Sequence, residues 1–256
     1  MNKITLSHHT ALWCIREIRE NPKNTQLINI ANQKLLTTKL RNSPQMHILV
    51  LNQNDKHCNL SFKFHLQTKP LPRNSINKIT ENISIVCPEL MLIQLARTLP
   101  YEQLFLVALE LCGTYTLCTQ NGNFASGIPA ITTPEKLRDY LNKYKRLNYN
   151  VCGIDKLNAI CNLVEANSAS PMESRLFIKL CGGRKYGLYE CKNLKFNECV
   201  PLSSSARKIA GQDFVIPDLS SQKHKVAIEY NSAQFHEELI QGQKDHRRRD
   251  ALVHDG

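Results

Sequence analysis

The sequence lacks a membrane span, an export signal and any paired-cysteine motif, and each absence removes a class of protein. No apolar run approaches the ~20 residues that cross a bilayer. The start, Met1 to Leu6, gives way at once to polar Ser7-His8-His9-Thr10, too short an apolar stretch for a signal peptide. The ten cysteines are scattered and form no CxxC pair. Without an export signal they are expected to be reduced and to act mostly as small buried hydrophobes. Cys181, Cys191 and Cys199, the closest group, are expected to be thiols rather than a zinc site. The expectation is an intracellular, cytoplasmic protein with no membrane partner.

What is present is a long basic chain. At 256 residues it can build one large or two small domains with real cores. Lys and Arg number 33 against 22 Asp and Glu, a formal net charge of +11. Such an excess favours polyanions, nucleic acid first.

Residues 1–165 read as a mixed α+β region. Ile4-Thr5-Leu6 suits a short strand, and Ser7 can cap a helix to about Glu20. A second helix is expected from about Gln26 to Leu40. His47 to Leu51, Leu60 to Leu66 and Ile83 to Val86 read as strands, the middle one by strict alternation. Helices are expected from Pro88, from Pro100 to Leu111, from Pro134 to Arg146 and over Cys152 to Val164. A small polar linker, Glu165 to Ala169, leads to Ser170-Pro171-Met172-Glu173, a capping box with Pro at the first helical position. Glu173 also heads the stripe Leu176, Phe177 and Leu180, so it points toward whatever the adjoining sheet carries.

The stretch Gln212 to Tyr230 holds two short β-prone runs around a polar loop and reads as a hairpin. Centred on Ser221, it sets Asp213 across from Glu229, with Phe214, Ile216, Ile228 and Tyr230 toward the core. Two carboxylates that close call for a cation, and a divalent metal with oxygen ligands is the usual one. Asp218, in Pro217-Asp218, is the rival to Asp213; it falls in the loop of this register. Lys244 to Leu252 reads as a basic helix.

The pieces Asp213-x-x-x-Pro217, Val226-Ala227-Ile228-Glu229-Tyr230, His236 and Asp245-x-x-Arg248-x-x-x-Leu252-x-x-x-Gly256 follow in an order that resembles a known family. It is the very-short-patch-repair-endonuclease-like branch of the PD-(D/E)xK nuclease superfamily, and the likeness covers residues 170–256. The resemblance implies an α/β fold: a restriction-endonuclease-like C-terminal domain, a mixed sheet flanked by helices, after an α+β N-terminal region. It implies a metal-dependent DNA endonuclease in which Asp213 and Glu229 bind Mg²⁺ or Mn²⁺, helped by the Tyr230 carbonyl. His236 would serve as acid/base and Glu173 would support the site. Asn231 stands where the superfamily often has lysine, and it supplies neither charge nor proton. Lys244, Arg247, Arg248 and Arg249 are the candidate DNA contacts. Relatives continue with a strand beyond the glycine matching Gly256, so a shortened sheet with an exposed edge is expected. The alternative is a non-catalytic, antitoxin-like DNA-binding regulator.

Overall fold

The computed structural model describes residues 4–20, 45–56, 61–118, 121–148, 151–230 and 239–255. The helix expected near residues 26–40, and the candidates Asn231 and His236, lie outside the described residues.

The N-terminal part is built on a five-stranded mixed sheet in the order β3-β2-β1-β5-β4. Its strands are β1 (Ile4–Leu6), β2 (Met46–Val50), β3 (Phe62–Leu66), β4 (Ile76–Lys78) and β5 (Ile83–Val86). β1 runs parallel to β5 and antiparallel to β2, while β2 and β3 are parallel. Helix α1 (His8–Glu20) follows β1 and buries Ala11, Leu12 and Ile15.

Helix α2 (Pro88–Leu95) starts where Cys87 Sγ accepts from the Leu90 N–H, with proline in the first turn, where its missing donor costs nothing. Every residue from Leu90 to Leu95 is buried, so α2 is a core helix with no solvent face. Around it lie α3 (Tyr101–Cys112), α4 (Pro134–Leu147) and α5 (Ile154–Leu163). Gly153 opens α5 at φ 81°, and a Cβ there would meet the Ala96 carbonyl oxygen at 2.2 Å, so only glycine fits. A short hairpin, β6 (Tyr115–Leu117) and β7 (Phe124–Ser126), follows α3 in the chain.

A buried polar network fastens α1 to α3. Glu110, 2% exposed at its side chain, receives Arg16 Nη2 at 2.6 Å, Thr116 Oγ1 at 3.1 Å and the Leu117 N–H at 3.0 Å. Arg19 donates to the carbonyls of Glu110 and Gly113. A buried carboxylate is tolerated only with such partners.

Helix α6 (Pro171–Cys181) begins with half of the expected capping box: Ser170 Oγ accepts from the Glu173 N–H at 3.1 Å, while the Glu173 carboxylate accepts from the Ala169 N–H, one residue before the cap. Its Phe177 packs edge-on to Phe105 of α3 and against Phe196. One hydrophobic core therefore runs from Leu6 through Phe177 to Leu219.

The remaining elements are β8 (Lys195–Phe196), β9 (Val200–Pro201), α7 (Ser204–Ala210), β10 (Phe214–Val215), β11 (Leu219–Ser221), β12 (Val226–Ile228) and α8 (Leu239–His254). They form an antiparallel three-stranded sheet, β12-β11-β8, and a two-stranded one, β10-β9. The mixed sheet flanked by helices is thus the N-terminal one, and the molecule is a mixed α/β protein. A second small cluster, Leu202, Ala206, Val215 and Ala251, joins β10 to α7 and α8. No helix of the described residues is long and apolar enough to cross a membrane.

The expected hairpin register is corrected here. Pro217 has no N–H and a fixed φ, so the first run stops before it. β10 pairs with β9 (Phe214↔Pro201, Val215↔Val200), and Val215 is its buried residue. Phe214 and Ile216, expected in the core, are 48% and 44% exposed, and Tyr230 is 43% exposed. Replacing Phe177 by alanine should cost about 3–5 kcal/mol of stability in denaturant unfolding, as for other fully buried phenylalanines. Phe214→Ala should stay within about 0.5 kcal/mol of wild type.

Candidate metal site on the β11–β12 hairpin

After Pro217 the chain starts a new strand, and the polar run that reads as a loop is partly that strand. Leu219 is fully buried, and the small hydroxyl side chains of Ser220 and Ser221 are buried with it. The turn comes later, over Gln222–His224, and closes at Lys225 in the left-handed region (φ 50°, ψ 49°). The resulting pairs are Leu219↔Ile228, Ser220↔Ala227 and Ser221↔Val226. The pairing ends there: Asp218 is the residue before β11 and Glu229 the residue after β12.

Alternation assigns the faces. Leu219 and Ile228 pack on the main core. Ser220 and Ala227 therefore share the other face. On the other side β8 pairs through Leu219↔Phe196 and Ser220↔Lys195, and the Asn197 N–H donates to the Asp218 carbonyl at 3.2 Å. Lys195, Ser220 and Ala227 thus form one row across the three strands, and the residues just past the strand ends, Asn197, Asp218 and Glu229, make a row of end positions, with Asn197 in the left-handed region (φ 49°).

Three contacts hold this row. Asp218 Oδ2 accepts from the Tyr230 N–H at 2.6 Å. Glu229 Oε1 meets Arg248 Nη2 at 3.1 Å, and the same guanidinium nitrogen reaches the Ile216 carbonyl at 3.2 Å. Asn197 Nδ2 donates to Glu173 Oε2 at 2.8 Å. Glu173 is 7% exposed and also accepts from the Ala169 N–H at 2.9 Å. Its carboxylate therefore joins the head of α6 to the row through Asn197. Glu198 stands nearby, with Ser220 Oγ donating to its Oε2 at 3.4 Å.

Of the residues singled out in the sequence, Glu229 and Glu173 are brought to this row. Asp213 is not. It precedes β10, in a different sheet, is exposed, and pairs with Arg207 at 3.4 Å. Asp218, the residue before β11, lies at this hairpin instead. Arg247 and Arg249 are exposed on α8, Arg248 pairs with Glu229, and Lys244 lies within the helix span. Sequence reading passed over Lys195 and Asn197, whose relevance comes only from the β8–β11 pairing. It also passed over a histidine group, His8, His47 and His65, drawn from three separate elements. No spacing announces that group.

The chain matches no protein-family model, no curated protein and no solved structure.

The register is open to a chemical check. In a variant carrying Ser220→Cys and Ala227→Cys, oxidation should yield a 220–227 disulfide in peptide maps, because cross-strand Cα spacing suits the bond. The pair Asp213→Cys and Glu229→Cys should give none.

Proposed function

We propose that the protein is a metal-dependent DNA endonuclease whose metal ligands are Asp218 and Glu229, with the Tyr230 carbonyl beside them. The observation that supports this reading is the pairing Leu219↔Ile228, which leaves Asp218 and Glu229 as the residues just past the paired ends of β11 and β12. All-oxygen donors of this kind fit a hard cation such as Mg²⁺ or Mn²⁺. When bound, that cation lowers the pKa of a water and neutralises charge on the phosphate. Asp218 and Glu229 orient that ion. Glu173 positions the row through Asn197. The Pro217-Asp218 dipeptide and the resemblance to the PD-(D/E)xK superfamily support the same assignment, with Asp218 in the role first expected of Asp213.

The superfamily's lysine position falls on Asn231, but a cation is available nearby. Lys195, one row from Asp218, now pairs with Glu165 at 2.7 Å. In this reading it swings to the phosphate when DNA binds. The net charge of +11 and the exposed Arg247 and Arg249 provide sequence-independent phosphate contacts.

One observation favours the second reading, a non-catalytic DNA-binding protein: Arg248 already neutralises Glu229. Both readings predict DNA binding that weakens steeply with salt. They part on cleavage. Plasmid DNA with Mg²⁺ or Mn²⁺ should be cut by wild type, and Asp218→Asn should lose more than the roughly 10–100-fold that removing an outer-shell partner costs. Asp213→Asn should retain wild-type cleavage. Tight binding by wild type with no cleavage at any metal concentration selects the second reading.

A further inference from the structure

Far from the β11–β12 hairpin in sequence, three histidines converge on the N-terminal sheet. His47 lies on β2 and His65 on its parallel neighbour β3, where the register Leu49↔His65 puts both imidazoles on one face. His8 begins α1 and lays its ring on that of His65, centroids 3.7 Å apart. His65 Nε2 lies 3.0 Å from His47 Nδ1. One ring nitrogen from each of the three falls within 4.8 Å of the others. Zinc–nitrogen bonds of about 2.0–2.1 Å in a tetrahedron put ligand nitrogens roughly 3.3 Å apart.

The surroundings are shaped for a ligand. The three rings line a cavity of about 540 Å³, together with Lys63, Gln94 and Arg97. His8 is held at φ 50°, a conformation unfavourable for a side chain with a Cβ, and two contacts keep it there. Its N–H donates to Gln94 Oε1 at 3.0 Å, and its Nδ1 sits 3.1 Å from Ser7 Oγ. These leave His8 Nε2 as the nitrogen for a ligand. Because Gln94 Oε1 is fixed as the acceptor, its Nε2 is the free donor, and it is buried with no partner. Burial and mutual repulsion lower the imidazole pKa values, to about 2 for His8 and about 4 for His65.

We propose that His8, His47 and His65 form a second metal site, selective for a zinc-class cation, with its fourth position open to the cavity. Three imidazoles and no carboxylate suit zinc, nickel or copper and not magnesium. Three protein ligands with an open position is the arrangement of a reactive centre rather than a closed structural one. Lys63 and Arg97 make an anion the fitting fourth ligand: their charge opposes a bare dication and favours one carrying hydroxide or an oxyanion. Gln94 Nε2 would donate to it. This site stands apart from Asp218 and Glu229, which share none of its residues.

The test is cobalt and zinc binding to the full chain, stripped with chelator and kept reduced. Wild type should bind one Co²⁺ with the intense visible bands of a four-coordinate nitrogen site, displaced by Zn²⁺ and not by Mg²⁺. His47→Ala/His65→Ala should weaken binding by roughly 100-fold or more, and His224→Ala, exposed and outside this cavity, should not. Should His47→Ala/His65→Ala misfold by circular dichroism, His65→Gln serves in its place. The proposal is overturned if wild type binds no cobalt. It is overturned equally if the spectrum carries a thiolate charge-transfer band with affinity unchanged in the histidine variants, which would place the ion on cysteines.

Discussion

The pairing of Leu219 with Ile228 is the contact on which the C-terminal part depends. Both side chains pack into the core that begins at β1, so the hairpin cannot slide without pulling Leu219 out of an interior site. Burying a leucine contributes about 1.5–3 kcal/mol, and a slip of one residue would bury Asp218 in its stead. Apolar burial on one face thus fixes which residues of β11 and β12 lie on the other. The chemistry of the exposed row follows from the packing beneath it.

The same logic explains the links between distant segments. Phe196 sits beside Leu219 in the register and packs on Phe177. That contact brings the first turn of α6, with Glu173, to the β8 end of the row. Asn197 is the joint: its N–H binds the Asp218 carbonyl and its amide holds Glu173. At the other end Arg248 of α8 reaches Glu229, while Ala251 of the same helix packs with Val215 and Leu202. Two hydrophobic clusters therefore lie behind these polar contacts.

Most of the helices were legible in the sequence, because their caps and apolar stripes are local signals. Ser170, Thr133 and Cys87 each accept from the backbone three residues on, as their positions suggest. The strands at 46–50, 62–66 and 83–86 were legible by alternation and apolar content. The short β9 and the helix α7 were not, since two-residue strands and one Ser-capped turn leave little pattern. Of the candidate site residues, Glu229 and Glu173 could be named from their runs, while the placing of Asp213 and Asp218 rested on register. Ser220 and Ser221 read as loop chemistry and are buried strand. The turn itself uses Lys225 in a conformation that glycine or asparagine would advertise and lysine does not. The three histidines meet across sequence separations that only the parallel β2–β3 pairing and the start of α1 could close.

The central claim is that Asp218 and Glu229 hold one hard metal ion between them. Electron paramagnetic resonance of Mn²⁺ titrated into the zinc-free protein tests this without DNA or turnover. The account predicts one bound Mn²⁺ that is lost in Asp218→Asn and in Glu229→Gln and kept in Asp213→Asn. Loss in Asp213→Asn with retention in Asp218→Asn, or no bound Mn²⁺ in wild type, would contradict it.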